Sequence, residues 1–521
     1  MPRCTTEPVF DAIIVGSGVG GAMAAHRLIH AGWRVLMLER GTAVARGPGA
    51  SDPSATLELT PHFSTTRDYH VDVGGYKGRS GAVFCLGGAS IYYGAAAVRF
   101  READFVPAPE ISARSSAVWP YRYADLEPYY GEAERIMGVA GDDEGDPTRP
   151  PRRSPFPQPP APLTAAARRF GDAARALGLN PVRLPLAVNY DGANGRRACT
   201  SCRTCDTYAC SVEAKNDMDA GVIAPLTRRG LQVRLETLAT RLATGGDGAV
   251  ASVHAWDRSE GRPVEFRGRY VLLAAGALGT PRLLLASGLD RVQPAGRAVG
   301  KYLTRHCSAM VFGFCSDRFD PDHVFHKQLI ILDYYFGDPR SWRHHRRRLG
   351  SIQQVTTPPA ALIANHLPEF FRRVPLSAFT EHLAGALVLA EDEPRDDNGV
   401  ALDPTVGGDG LPRLRIRHTY TRADLRRRAA LVRRAKRVLR RCGAFAFYTH
   451  KLRTFSHALG TVRMGPDAST APLDGDCRFR GLRNLLVVDG SALPTAAGVN
   501  PALTIAANAL RAADRLVQAS E

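Results

Sequence analysis

Long apolar runs are missing from this 521-residue chain; none reaches the roughly 18 residues that a membrane-spanning helix needs. No membrane partner is therefore expected. Met1–Phe10 lacks the apolar core of a secretory leader, and the first apolar run, Ala12–Val15, leads directly into a glycine-rich motif. That reads as a cytoplasmic protein. Lysine is scarce: only six of the 68 basic residues are Lys, against 51 acidic residues and a net charge of +17. The arginines are scattered and no recognition motif accompanies them, so nucleic acid is not an expected partner. Ten cysteines are too few for a disulfide scaffold in a chain of this length. What is present, 44% hydrophobic and 23% charged residues, is an ordinary globular balance. At about 150 residues per domain the length allows two to four domains.

The most informative local pattern is Gly16-Ser-Gly18-Val-Gly-Gly21, which follows the apolar strand Asp11–Val15 and opens a helix from about Gly20 to Ala31. Gly16 permits the tight turn, Gly18 lets the backbone approach a pyrophosphate, and Gly21 lets helix pack on strand. The helix N-terminus then faces the phosphates. Glu39 lies 18 residues beyond Gly21, at the end of the next strand, where a carboxylate accepts ribose hydroxyls. An acid there favours FAD or NAD over NADP, and the motif does not choose between the two. A disulfide reductase would need a second such motif, and the sequence holds one.

Further along, eight prolines between Pro147 and Pro162 read as an extended connector. Leu163–Leu177 reads as an amphipathic helix, Phe266–Ala275 as a strand followed by a helix from Pro281, and His306–Phe314 and Gln328–Phe336 as strands. Thr421–Cys442 reads as a helix capped by Thr421 and Asp424, with Leu425, Ala429, Val432, Leu439 and Cys442 on the buried face and an arginine-rich solvated face opposite.

Several segments carry a resemblance. His457-Ala-Leu-Gly-Thr-Val-Arg-Met-Gly465, then Asn484–Ser491 with Asp489, then Gly498-Val-Asn500-Pro501-Ala-Leu-Thr504, is similar to the C-terminal signature of the glucose-methanol-choline (GMC) flavoprotein oxidoreductases. Gly87-Gly88-Ala-Ser90 with Arg99, Gly276-Ala-Leu-Gly-Thr-Pro281, Val299–His306 and Glu391–Pro412 resemble other family segments in the right order. The resemblance implies an α/β (α+β) fold: a Rossmann-type FAD-binding domain with a separate sheet-and-helix substrate domain. It implies FAD and oxidation of an alcohol, with His457 as the base and Asn500 holding the substrate oxygen. A helix cap with Pro501 at the first turn is the structural alternative for Asn500. Cofactor-binding positions are expected at Gly16, Gly18, Gly21, Glu39, Gly87, Gly88, Ser90, Tyr93, Gly276, Asp489 and Pro501. Tyr93 stands where many members have Asn and some a flavin-linked His, so noncovalent FAD is expected. Since the cofactor-like motifs fall in 1–110, 190–310 and 455–521, these should form the FAD domain, and 111–189 and 311–454 the substrate side.

Cys199-x2-Cys202-x2-Cys205-x4-Cys210 differs from ferredoxin spacing, and no metal is expected there. This run before Lys215-Asn216-Asp217, together with Gly87–Gly94 and Trp119–Tyr121, has a closer likeness to the flavin-dependent 6′-dehydrogenases of aminoglycoside antibiotic biosynthesis. That implies a small-molecule alcohol partner, an aminosugar with a primary hydroxyl. Another alcohol, or a non-redox relative such as a lyase, is the alternative. The acceptor of the electrons (oxygen, quinone or protein) is left open. Asp333, within the apolar run Leu329–Phe336, is an expected substrate contact with Tyr335 beside it; a surface or salt-bridge role is the other reading.

Overall fold

The computed structural model describes residues 10–521 except 53–54, 64–68, 74–75, 78–79, 113, 193–194, 323, 325, 339–346, 358, 365–376 and 407–410. Its first layer is a five-stranded sheet ordered Leu485–Val487, Gly268–Leu273, Phe10–Val15, Val35–Leu38, Gln232–Arg234. Every neighbour pair is parallel. Strands buried on both faces need continuous apolar runs, and Ile13, Ile14, Leu36, Met37, Leu272 and Leu273 supply them. The helix Val19–His30 covers one face and packs against the C-terminal helix Ala502–Gln518, which in turn packs on Tyr123–Ile136.

A second, six-stranded antiparallel sheet runs Ala444–Lys451, Ala309–Cys315, Leu383–Leu389, Ser351–Val355, Leu329–Ile331, Pro181–Arg183. The helices Arg422–Arg441 and Ala165–Arg175 share its separate core. A four-stranded sheet joins Tyr69–Val73 and Tyr76–Lys77 to Gly399–Val406 and Pro412–Arg417, and a three-stranded meander spans Thr237–Phe266.

Three local expectations change. The run after Leu329 is strand only to Ile331; Asp333–Phe336 form a turn. The helix Arg422–Arg441 has the expected Thr421–Asp424 cap, but its buried face is Ala430, Leu431, Ala435, Val438 and Leu439, and Leu425 is exposed. Two arginines of the supposedly solvated face are buried: Arg427 donates to the Glu391 carbonyl at 2.7 Å and Arg434 Nε to Asp338 at 3.0 Å. A helix wedged between a sheet and a second helix is covered around more of its circumference than an amphipathic stripe implies.

Candidate active site

The cofactor side is built where three parallel strands end. Gly16, at φ +106°, closes Phe10–Val15, and a Cβ there would run into the Ala274 carbonyl. A Cβ on Gly20 would meet the Val488 carbonyl, and one on Gly21 the Gly16 carbonyl. Around Gly18, by contrast, a Cβ would find open space. The helix Val19–His30 starts there, its N-terminus carrying the positive end of the helix dipole.

Glu39 is buried beside this turn. Its Oε2 accepts from Ser17 Oγ at 2.6 Å and from the Ser17 amide at 3.2 Å, and its Oε1 from the Gly41 amide at 2.8 Å. Burial pushes its pKa up, and the Ser17 and Gly41 donors pull it back. Ser17 Oγ also accepts from the Gly87 amide at 3.0 Å, so the second glycine-rich turn lies on the first. A Cβ on Gly88 would stand 3.2 Å from Gly18 Cα. Ser90 closes that turn, donating to the Gly87 carbonyl at 2.6 Å and accepting from the Met218 amide at 2.9 Å. Tyr93 donates to the Asn216 carbonyl at 2.7 Å. Buried Lys215 donates to the carbonyls of Tyr93, Cys205 and Tyr208, tying the cysteine-rich run to Tyr93. Asp489 joins the third motif: one oxygen accepts from the Gly276 amide at 2.9 Å and Thr280 Oγ at 2.5 Å, the other from Ser491 N and Oγ at 2.8 and 2.5 Å. Four donors on one carboxylate make it the clasp between two helix starts. Around Gly276, at φ +78°, space is again open.

The candidate catalytic side lies against an inner strand of the second sheet, Ser351–Val355. His457 Nδ1 is 3.1 Å from His306 Nδ1, with the rings nearly perpendicular. Desolvation, then the charges of His306 and Lys327, hold His457 down at a pKa of about 3. His306 Nε2 lies 3.0 and 3.1 Å from the carbonyls of Ala496 and Ala497, which links the pair to the turn 496–500. That turn is held from below. Ser351 Oγ donates to the Gly498 carbonyl at 2.7 Å, the Gly498 amide donates to Tyr335 Oη at 3.0 Å, and Tyr335 donates to Asp104 at 2.7 Å. The Ala497 amide donates to Glu391 at 2.9 Å, and burial together with Asp104 pushes Glu391 up to about 7. Asn500 does not cap the C-terminal helix; Pro501 occupies the cap position. Asn500 Oδ1 instead accepts from Gln353 Nε2 at 2.6 Å, which leaves its amide N–H groups to donate elsewhere.

Tyr335 thus reaches the 498 turn. Asp333 does not: its oxygens accept from the Asn180 amide at 3.1 Å and from Asn180 Nδ2 at 2.8 Å, and no described contact joins it to His457 or Asn500. Ser17, Gln353, Glu391 and the partnership of His306 with His457 were not foreseen. Ser17 lay inside the motif as an unremarked residue. Gln353 carried no signal in the sequence: that it sits in Ser351–Val355, a strand buried at every position, where a polar side chain demands a partner, is visible only in the fold.

A glycine turn open at Gly18, a helix N-terminus behind it, a buried acid on the neighbouring strand and a second open turn at Gly276 fit an extended dinucleotide such as FAD. The fold and the site therefore define a dinucleotide-binding oxidoreductase. The GMC oxidoreductase N-terminal model matches residues 86–308 and the C-terminal model residues 394–509. The chain is 32% identical to paromamine 6′-oxidase of Streptomyces fradiae, over 97% of this chain and 91% of that protein. It is equally 32% identical to 6‴-hydroxyparomomycin C oxidase of Streptomyces lividus, with the same coverage of both chains. The chain belongs to the GMC oxidoreductase family: it is an FAD-dependent oxidoreductase acting on alcohols. Among solved structures, formate oxidase superposes with a TM-score of 0.71 at 16% identity, covering 99% of each chain. Pyridoxine 4-oxidase from Mesorbium loti superposes at 0.68 and 20%, covering 97% of this chain and 98% of that one. The fold is theirs, as the sequence resemblance implied. No helix among the described residues is long and apolar enough to cross a membrane.

Proposed function

We propose that this enzyme oxidises the primary alcohol of an aminosugar, with His457 as the base, Asn500 as the donor to the substrate oxygen and FAD held without a covalent bond. The observation that carries the catalytic assignment is the desolvated His457–His306 pair anchored to the Asn500 turn. Bound FAD supplies the acceptor for the hydride leaving the carbinol carbon. The chain's own work is to take the hydroxyl proton and to position the carbon. A histidine held near pKa 3 is neutral throughout the physiological range, so its lone pair is available before substrate arrives. Asn500, its oxygen engaged by Gln353, turns N–H donors toward the alkoxide that develops.

The aminosugar reading rests on the two relatives named for paromamine and 6‴-hydroxyparomomycin C. Noncovalent FAD is supported by Tyr93, whose hydroxyl is committed to Asn216 and which offers no imidazole to the flavin. The same proposal gives 1–110, 190–310 and 455–521 to the FAD-binding domain and 111–189 and 311–454 to the substrate domain. In support, all five strands of the parallel sheet come from the first set and all but two residues of the six-stranded sheet from the second.

The test is anaerobic mixing of the purified flavoprotein with aminosugar and neutral-sugar alcohols while following flavin absorbance. Bleaching by aminosugars at lower concentration than by neutral sugars is expected. Bleaching by neutral alcohols alone would remove the substrate assignment, and bleaching by no alcohol would remove the base assignment with it.

A further inference from the structure

His306 is held with unusual care for a residue outside any described helix or strand. Its backbone is left-handed at φ +63°, a conformation that costs a non-glycine residue roughly 1–2 kcal/mol. Three contacts impose it. The His306 amide donates to Asp392 Oδ1 at 2.9 Å, the Arg305 amide to the same carboxylate at 3.1 Å, and Tyr420 donates to the His306 carbonyl at 2.7 Å. Asp392 is in turn oriented by His418 Nε2 at 3.0 Å. The result is a ring fixed in place, 1% exposed, with one nitrogen on two backbone carbonyls and the other on His457.

The proton positions follow from what each atom can do. A carbonyl oxygen only accepts, so the proton of His306 is on Nε2, directed at Ala496 and Ala497. Desolvation holds the His306 ring neutral against the opposing pull of Asp392. A neutral ring with its proton on Nε2 has a lone pair on Nδ1. At 3.1 Å two lone pairs cannot face each other, so His457 Nδ1 carries the hydrogen between them. His457, also neutral, then has its lone pair on Nε2.

We infer that His306 is a positioning residue that sets the tautomer of His457, placing the hydrogen on Nδ1 and the basic lone pair on Nε2. This deepens the assignment of His457 as the base and rests on it. When an alcohol proton moves, the substrate O–H bond breaks and the Nε2–H bond forms. The imidazolium keeps its Nδ1–H bond to His306, so the ring need not turn or exchange a proton first. Asp392 is the charged group that acts on the His306 side, itself held by His418 and the Arg305 amide, and Lys327 acts on His457. The last disfavours a charged His457 before substrate arrives.

The test is 15N NMR of the substrate-free holoenzyme labelled at its histidine ring nitrogens, with His457→Gln used to assign the His457 signals. A protonated Nδ1 and unprotonated Nε2 on His457 are expected, and a proton on Nε2 would overturn the inference. Two variants add the functional readout. His306→Leu removes the acceptor; His457 should move toward the Nε2–H form, and the limiting rate of flavin reduction should fall about 10²-fold with KM changed by less than about 3-fold. His306→Gln can accept from His457 with its oxygen and donate to Ala496 and Ala497 with its nitrogen, and should restore the rate to within about 5-fold. An unchanged tautomer and rate in folded His306→Leu would also overturn the inference. If that variant fails to fold, the wild-type spectrum and the Gln variant decide. Normal flavin reduction by His457→Ala would instead remove the base assignment and leave the tautomer measurement standing.

Discussion

The two halves of the site are made from different materials. The cofactor cradle at the ends of the parallel sheet is made of absences: Gly16, Gly20 and Gly21 are sites where a Cβ would strike a backbone carbonyl, and Gly18 is a site where its absence leaves room. The proposed catalytic edge of the site is made of side chains that hold side chains or backbone: His306 on His457, Gln353 on Asn500, Tyr335 and Glu391 on the turn 496–500. A void tolerates no addition. A chain of hydrogen bonds tolerates a substitute that keeps its donors and acceptors. Mutation should therefore be all-or-none in the cradle and graded at the edge.

The largest effect is expected from Gly16→Val. The Cβ would enter the Ala274 carbonyl in a backbone conformation that β-branched residues avoid. Purified protein should carry no FAD, read as the loss of flavin absorbance relative to protein; a yellow, stoichiometric Gly16→Val would break the contrast. Next is His457→Ala, which should keep its FAD and lose flavin reduction by about 10² to 10⁴-fold, the scale of a general base. Gln353→Leu touches neither reacting group. It leaves Asn500 Oδ1 without its donor, at a cost of about 1–3 kcal/mol in the buried site, and should slow reduction by about 10-fold while FAD content stays normal. A Gln353→Leu variant as inactive as His457→Ala would show that the edge is not graded.

The pH profile gives a smaller effect. An ordinary histidine base would lose activity as pH falls through about 6.5. With its pKa lowered to about 3, His457 stays deprotonated well below that, so the limiting rate of flavin reduction should be flat from pH 8 to about pH 5. A break near 6.5 would mean that the ring is solvated in the working enzyme. Smallest is Asp333→Asn. Since Asp333 holds Asn180, KM for an aminosugar and for a neutral alcohol should move together and by less than about 2-fold. A selective rise for the aminosugar would move Asp333 to the substrate face.

Much of the cradle was legible because its requirements are local. Gly16, Gly18 and Gly21 lie within one stretch of six residues, and the turn, the approach and the packing they serve occur within one strand–turn–helix unit. Glu39 follows from the next strand. The helix Arg422–Arg441 was legible at its cap, where Thr421 and Asp424 bond each other's backbone, and misjudged on its buried face, because which arginines are covered depends on the sheet and helix it packs against.

The sequence by itself determined the dinucleotide turn, since backbone sterics act at short range, and its resemblance to the GMC family implied the FAD-type fold and drew attention to His457 and Asn500. Only the tertiary structure decided what those residues can do. His306 is 151 positions from His457, and Gln353 is 147 from Asn500. Their meeting depends on a six-stranded sheet whose neighbours are distant in the chain and on a loop pinned by Asp392. Asp333 shows the converse: an acid in an apolar run left a substrate contact and a surface or salt-bridge role both open, and a turn after Ile331 directs it to Asn180. Spacing along a chain reports what the backbone must do nearby. Which nitrogen carries a proton is set by the atoms that three-dimensional packing brings to within about 3 Å of it.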